Sequence, residues 1–258
     1  MDKNLVAGFL SSTFTTLLLH PLDVLRINQI ANNTKLMPTA RDIVRNCTMY
    51  RALPISLLAY VTSYSIYFPL NDYLKRHTPW QGDINKYAMF TFATIPPSFI
   101  GMTICNPLWT IKAHQINTAG ATPPDNQPTH GSLIRSMRSI YETSGYRGFY
   151  KGLLFGYVNS MNGIISFALY DIFKDAASVD TSLGYLWCSL ASKTIATVVC
   201  FPIFAMRIRQ QVDQMSLCET LTSLTRRPLY SGIVATLAQQ LPKHSILLVM
   251  FEAIKKIL

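Results

Sequence analysis

Long apolar runs alternate with short polar signatures along the whole chain, and this pattern predicts an all-α protein. Each run approaches the roughly 20 residues that a helix needs to cross a bilayer core. The six runs are 5–19, 53–70, 87–105, 153–169, 183–201 and 233–250. Three shorter stretches mix apolar and charged residues at helical spacing, which is typical of amphipathic helices on a membrane surface. They are 39–46, 132–142 and 216–224. We therefore expect six transmembrane helices and three short surface helices.

A proline signature follows the first, third and fifth runs. The copies read PLDVLRINQ from Pro21, PLWTIKAHQ from Pro107 and PIFAMRIRQ from Pro202. Proline inside a helix removes a backbone hydrogen bond and clashes with the preceding turn, so each is predicted to kink its helix. Three copies at near-equal intervals predict an internal repeat, with units at 1–80, 81–178 and 179–258.

A second signature ends the other three runs. It is an acid followed three places later by lysine, which puts both side chains on one helix face. The pairs are Asp72 with Lys75, Asp171 with Lys174, and Glu252 with Lys255. Ionisable residues at membrane depth are costly and usually face the bundle interior. The two signatures therefore predict rings of charge at two depths of one bundle.

The composition agrees with a membrane protein and excludes several other classes. Hydrophobic residues make up 49% of the chain and charged residues 14%, whereas soluble domains carry about a quarter charged residues. The net charge of +10 comes from bases at the ends of apolar runs, which favours anionic headgroups or an anionic solute over nucleic acid. The five cysteines form no CxxC pair, and no nucleophile–base pair or phosphate loop occurs. We expect no metal, cofactor, nucleic-acid partner or enzyme activity.

These signatures resemble those of the mitochondrial carrier family, and the resemblance extends from about residue 4 to residue 258. Residues 148–152, GFYKG, match the Gly-aromatic-base-Gly stretch of that family. The resemblance implies one carrier domain, a six-helix barrel with threefold pseudosymmetry around a water-filled path and three short helices on the matrix side. It also implies a multi-pass protein of the mitochondrial inner membrane that moves metabolites by alternating access. We expect it to act as a monomer.

The resemblance assigns the two rings of charge to two gates. The matrix gate comprises Asp23, Arg26, Trp109, Lys112, Phe204 and Arg207. In the family, each acid of this gate pairs with the base of the next repeat, which here leaves Asp23 facing Lys112. The cytoplasmic gate keeps all six members, and the implied pairs are Lys75–Asp171, Lys174–Glu252 and Lys255–Asp72.

Aromatic residues stand at two acid positions of the matrix gate. Trp109 and Phe204 leave Arg207 and Arg26 without their usual partners. Two interpretations stay open: the rings stack on these two guanidinium groups as cation–π pairs, or they simply pack. The matrix gate has at most one ion pair and the cytoplasmic gate has three. We therefore expect the resting equilibrium between the two conformations to favour the one in which the cytoplasmic gate is closed.

The motif at 107–112, PLWTIK, resembles the branch of the family that moves flavin, folate, nicotinamide and pyrimidine nucleotides, and segments 15–25 and 241–258 are most similar to yeast-type flavin carriers. The implied cargo is a large, flat anion such as FAD or a folate. NAD or a pyrimidine nucleotide is an alternative, and a non-transporting membrane scaffold is an alternative of another class. In the family, substrate contacts lie about three turns before the acids of the cytoplasmic gate. The resemblance therefore implies contacts at Tyr60, Asn159, Gln239 and Gln240, with Lys243 one turn further on.

Three weaker expectations concern other segments. Tyr150, Lys151 and Gly152 are expected to bind a lipid phosphate, such as that of cardiolipin, at the start of a helix. His20, next to Pro21, is expected to pack between helices and not to relay protons. The polar, proline-rich stretch 118–131 is predicted to be a disordered or extended connector.

Overall fold

The structure, a computed structural model, describes residues 3–77, 86–117, 129–176, 181–243 and 246. Helices make up most of these residues, and no strand occurs among them. The helices are α1 (Lys3–Asn32), α2 (Leu36–Arg45), α3 (Leu53–His77), α4 (Lys86–Asn117), α5 (Thr129–Ser144), α6 (Leu153–Asn159), α7 (Met161–Ala176), α8 (Ser182–Asp213), α9 (Leu217–Arg226) and α10 (233–243). A 3-10 turn at Gly145–Tyr150 joins α5 to the segment before α6.

The three helices that carry the proline signature are long and pack against one another. α1, α4 and α8 span 30, 32 and 32 residues, and each contacts the other two. Each helix continues past its signature proline, Pro21, Pro107 or Pro202, and the predicted kinks stay predictions. α4 also contains Pro96 and Pro97, which belong to no repeated signature.

A cluster of buried apolar side chains fills the space where these three helices converge. Its members from the three helices include Ile27, Ile30, Ile111, Ile116, Phe201, Ile208 and Val212, with Ile43 of α2 and Ile140 of α5. Most of them lie after the signature prolines in the chain. Apolar packing therefore closes the bundle at the end where α1, α4 and α8 terminate.

The helices that carry the second signature are less uniform than the sequence suggests. α3 is one continuous helix that packs along α4. The predicted run 153–169, in contrast, is divided at Ser160 into α6 and α7. The Ser160 hydroxyl donates to the carbonyl oxygen of Gly156 at 3.1 Å, a local bond that competes with regular helix geometry. The third run, 233–250, lies within the described residues up to position 243 and at 246.

A left-handed residue precedes each of these helices at the equivalent place in every repeat. The φ angles are +61° at Ala52, +79° at Gly152 and +86° at Gly232. A Cβ atom added at Gly152 would lie 2.9 Å from Cγ of Gln211, so glycine serves both the backbone conformation and the close packing there. The threefold repeat thus extends to individual backbone angles.

The three predicted surface helices are present as α2, α5 and α9. α9 begins with a capping box in which Ser216 and Glu219 exchange hydrogen bonds. The bond from the Ser216 backbone N–H is the main cause that lowers the pKa of Glu219 below its usual range. α5 starts at Thr129, so the connector predicted over 118–131 is wrong in its last three residues. Residues 118–128 lie outside the described residues.

Three stretches of the described chain are long and apolar enough to cross a membrane. They are Leu53–Asn71, Leu133–Ala176 and Gly184–Asp213. Length and composition are the criteria for these stretches, and only the described residues enter this comparison. The count of six transmembrane helices stays a prediction.

Candidate functional site

Two adjoining cavities lie between the helices. The first measures about 380 Å³ and the second about 610 Å³, both within the usual size of small-molecule sites. They share four lining residues, Arg26, Ser98, Met102 and Phe204. A solute that occupies one cavity would therefore contact residues that also line the other.

One buried carboxylate holds two of the basic residues that line the first cavity. Asp23 on α1 accepts hydrogen bonds from Lys112 on α4 and from Arg26, whose Nε lies 2.7 Å from Oδ1. Asp23 is 3% exposed and Lys112 is 2% exposed. The pairing of Asp23 with Lys112 implied by the resemblance is present, and Arg26 shares the same carboxylate, which the sequence analysis did not foresee.

The two aromatic residues at acid positions behave differently. The guanidinium carbon of Arg26 lies 5.1 Å from the centre of the Phe204 ring, as the stacking interpretation expects. The Trp109 ring instead lies 5.0 Å from Nζ of Lys112, and no stack of Trp109 on Arg207 is found among the described residues, which agrees with the packing interpretation for this ring. Trp109 and Lys112 are three residues apart on α4, which makes them neighbours on one helix face.

Arg207 presents a cation to the first cavity, and among the described residues it has no carboxylate partner. Its Nη2 lies 3.1 Å from Sδ of Met102, a weak acceptor. Among the described residues, no hydrogen-bond partner is found for its buried Nε. A guanidinium so placed has unused donors in a fixed planar geometry that matches phosphate or carboxylate groups.

Tyr60 joins the matrix-gate residues to the predicted substrate contacts. Lys243 donates to its hydroxyl group at 2.9 Å and lies 4.1 Å from its ring centre. Its ring also meets Trp109 edge to face, with 4.9 Å between centres. Tyr60 therefore connects α3 to α4 and to α10 at the level of the cavities.

The predicted substrate contacts are brought together around the two cavities. Tyr60 lines the first, and Asn159, Gln239, Gln240 and Lys243 line the second. Gln240 accepts a bond of 3.2 Å from Thr197, and the buried Oε1 of Gln239 has no hydrogen-bond partner among the described residues. Their role in binding stays a prediction.

Sequence reasoning missed Lys193, which also lines the second cavity. Its Nζ donates to Oδ1 of Asn162 at 2.7 Å. Lys193 lies inside the apolar run 183–201 and not at its end. A lone base within such a run is the signal that would have found it, because charged groups at membrane depth are costly and tend to be functional.

Positive charge dominates both cavities. The basic residues are Arg26, Lys112, Arg207, Lys193 and Lys243, and no aspartate or glutamate occurs among the described residues that line either cavity. The rings of Tyr60, Trp109 and Phe204 supply flat apolar surface beside these cations. The arrangement suits an anion that carries an aromatic system.

The cytoplasmic gate is only partly described. Asp171 and Lys174 lie on α7, and Nζ of Lys174 is 5.7 Å from the ring centre of Tyr185. The side chains of Asp72 and Lys75, and the whole of Glu252 and Lys255, lie outside the described residues. Because each of the three expected ion pairs includes one of these, the pairs stay predictions.

The residues assigned to a lipid phosphate have partners within the protein. Lys151 donates to the hydroxyl group of Ser144 at 2.8 Å and to the carbonyl oxygen of Gln214. The Gly152 N–H donates to Oε1 of Gln210 at 2.9 Å. Tyr150 is exposed. The lipid site stays a prediction, and a phosphate there would compete with these bonds.

His20 lies on α1 and packs against the segment before α3. Its ring is 1% exposed, its Nε2 lies 2.8 Å from the carbonyl oxygen of Arg51, and it stacks on Tyr50. These contacts are those of a histidine that holds two segments together.

A helical repeat with membrane-length segments around internal cavities is typical of the class of membrane carriers. The mitochondrial carrier protein family matches the chain three times in succession, at residues 2–81, 93–181 and 178–258. These matches cover nearly the whole chain, which therefore belongs to the mitochondrial carrier family.

Individual proteins named as carriers support the same assignment. Mitochondrial substrate carrier family protein W of Dictyostelium discoideum is 28% identical, over 98% of this chain and 84% of its own length. The mitochondrial FAD carrier protein FLX1 of Saccharomyces cerevisiae is 21% identical, over 99% of this chain and 96% of its own. Solute carrier family 25 member 36 of Mus musculus is 24% identical, over 80% of this chain and 73% of its own length.

The comparisons confirm the family, the fold class and the location that the sequence predicted. The chain has the all-helical mitochondrial carrier fold with three repeats, and it is a multi-pass protein of the mitochondrial inner membrane. Proteins of this family are transporters.

Proposed function

We propose that the chain carries a large anionic, ring-bearing metabolite, FAD or a related flavin or folate, across the mitochondrial inner membrane by alternating access. The observation that carries the proposal is the chemistry of the two cavities. Basic residues line them, aromatic rings stand beside these bases, and no acid occurs in the described lining.

The unpaired charge of Arg207 is the strongest argument for an anionic cargo. A buried cation without a carboxylate partner is unfavourable until an anion neutralises it. Its contacts among the described residues are a methionine sulfur and the neighbouring helix, and these leave most of its donors for a solute. A bidentate bond to phosphate or carboxylate is the interaction that a guanidinium makes best.

The aromatic side chains favour a cargo with a planar ring system. Tyr60 and Trp109 pack edge to face at the wall of the first cavity, and Phe204 borders both cavities. A pair of aromatic rings gains about 0.5–1.5 kcal/mol beyond its area burial. Together with the similarity to a protein named as an FAD carrier, this supports a flavin or folate as the cargo, with NAD or a pyrimidine nucleotide as the alternative.

Alternating access would use the two charged rings as gates, and we infer that the matrix gate is the weaker one. Asp23 is the single acid among its six members, and it joins α1 to α4 through Lys112. The contact between α8 and α1 relies on Phe204 and Arg26 instead. Fewer ion pairs make this gate easier to open than a gate with three, if the cytoplasmic pairs form as the sequence predicts.

Uptake by reconstituted protein tests the proposed function. The purified chain is placed in liposomes, and entry of labelled FAD, folate, NAD and UTP is measured with the wild type and with Arg207→Gln. We expect saturable FAD uptake that falls at least tenfold in Arg207→Gln and is unchanged in Lys35→Gln, a charge change at an exposed position of the matrix-side segment. Uptake of none of the four solutes would favour a non-transporting scaffold.

Labelling of a cysteine in the shared cavity wall tests the gate asymmetry. Ser98→Cys, in a chain whose five native cysteines are serine, is exposed to an impermeant maleimide from either side of the liposome. Faster labelling from the matrix face is expected, and equal labelling from both faces would contradict the asymmetry.

A further inference from the structure

Lys193 and Asn162 form a polar pair on a wall of the second cavity that belongs to neither gate. Lys193 lies on α8 and Asn162 on α7, two helices that pack closely along their length. Nζ of Lys193 lies 2.7 Å from Oδ1 of Asn162. Both residues line the cavity together with Asn159, Gln240 and Lys243.

The pair has hydrogen-bonding capacity that the described residues do not use in full. An ammonium group carries three donors, and Asn162 is its hydrogen-bond acceptor among the described residues. The partner is a neutral amide, so the positive charge is not balanced by it. The side-chain NH₂ group of Asn162, which also meets the Cys200 thiol, adds donor capacity beside the ammonium. A phosphate oxygen bound there would meet donors from two helices.

The position of this pair separates it from the cations of the first cavity. Lys112 and Arg207 line the first cavity and not the second, whereas Lys193 lines the second and not the first. Arg26 borders both. Cations therefore stand in both cavities, Arg207 in the first and Lys193 in the second, for a solute that carries more than one phosphate group.

We propose that Lys193 and Asn162 form an anion-binding subsite that takes a phosphate group of the cargo, in addition to the anionic group bound at Arg207. The inference rests on the proposed function and deepens it. The subsite selects for nucleotide-like solutes with more than one phosphate, such as FAD, over ring compounds with a single phosphate or none. It makes Lys193 a specificity-determining residue on a helix where the sequence analysis expected only gate residues.

The competing explanation is structural: the bond between Lys193 and Asn162 holds α7 against α8. The two explanations differ in which solutes are affected. A structural bond would change the binding of every solute alike, whereas a phosphate subsite changes the preference among solutes that differ in phosphate number.

The experiment measures binding of FAD, FMN and riboflavin, with two, one and no phosphates, by thermal stabilisation of the purified full chain and by competition in liposome uptake. We compare the wild type with Lys193→Gln, Lys193→Arg and Asn162→Asp. The last variant keeps the shape of the side chain and adds a carboxylate beside Lys193. Lys35→Gln serves as the control, because it removes one positive charge at an exposed position that lines neither cavity.

We expect Lys193→Gln and Asn162→Asp to weaken FAD affinity about tenfold or more, which corresponds to ~1.4 kcal/mol, while riboflavin affinity stays within about twofold. Lys193→Arg and Lys35→Gln should keep the preference for FAD. Thermal unfolding without solute shows whether each variant is folded, and the ratio of FAD to riboflavin affinity is independent of any general destabilisation. An equal loss for all three flavins in Lys193→Gln would overturn the subsite.

The failure of the proposed function has a different signature. If the wild type binds no flavin, the flavin proposal is wrong, and the same variants are compared with UTP against UMP. A selective loss of UTP affinity in Lys193→Gln would still support the subsite. Equal losses for UTP and UMP, or a wild type that binds neither series, would overturn it.

Discussion

The buried carboxylate of Asp23 offers the sharpest test of how the matrix end of the bundle is held together. Asp23→Asn keeps the shape of the side chain and removes its charge. The side chains of Asp23 and Lys112 are only 4% and 2% exposed, so the change leaves an ammonium group buried without a counter-charge. Breaking a buried ion pair in this way costs about 3–5 kcal/mol. For a chain of this size the loss lowers Tm by at least about 6 °C.

The matched control is Glu142→Gln. Glu142 accepts a bond of 2.7 Å from Arg138, one turn earlier on α5, and both side chains are largely exposed, at 59% and 78%. The chemical change is the same, but an exposed pair of this kind contributes only about 0.3–0.5 kcal/mol. Thermal unfolding of both variants in the same detergent compares a buried pair with an exposed one.

A double variant separates the loss of the pair from the presence of the orphaned ammonium group. Asp23→Asn combined with Lys112→Gln removes both charges, so it should be more stable than Asp23→Asn alone by at least about 1 kcal/mol. The reasoning is refuted if the double variant loses the sum of the two single losses. It is also refuted if Asp23→Asn unfolds at the same temperature as Glu142→Gln.

Two further changes test the packing around the gate and the start of α6. Phe204→Leu removes the ring beneath Arg26 and should lower the free energy of unfolding by about 0.5–2 kcal/mol, whereas Phe204→Tyr, which keeps a ring, should lose less; equal losses would exclude a cation–π contribution. Gly152→Ala forces a Cβ into a left-handed residue and to within 2.9 Å of a side-chain carbon, and should lower Tm clearly. Gly163→Ala, with no atom within 4 Å of the added Cβ, should leave Tm unchanged or raise it, and a comparable fall in both would contradict the steric argument.

The sequence was most informative where a pattern repeats. Three proline signatures placed α1, α4 and α8, and the same register brought Asp23 to Lys112 across two helices. The resemblance supplied this pair because the repeat fixes which helix follows which. A single signature would not have predicted a partner 89 residues away.

Local helix geometry explains what the resemblance did not predict. Arg26 shares the carboxylate of Asp23, and Trp109 lies beside Lys112. Residues three apart on one helix are neighbours, and this does not depend on which residues the adjacent helix carries. These contacts could have been read from spacing alone. Lys193 was not predicted for another reason: it is a single base inside an apolar run and belongs to neither repeated signature. The break at Ser160 coincides with a side-chain hydrogen bond to the Gly156 carbonyl oxygen, and a hydropathy pattern contains no information about such a bond.

The shared carboxylate of Asp23 has an electrical consequence. It faces two cations, Arg26 and Lys112, and Arg207 adds a third nearby, so the closed end of the path carries two positive charges in excess. A cargo with two negative charges would make it neutral. The empty and the loaded protein therefore differ in net charge. An elementary charge that moves through 100 mV changes in energy by about 2.3 kcal/mol. The membrane potential would thus act on the return of the empty protein and the passage of the loaded one to different extents.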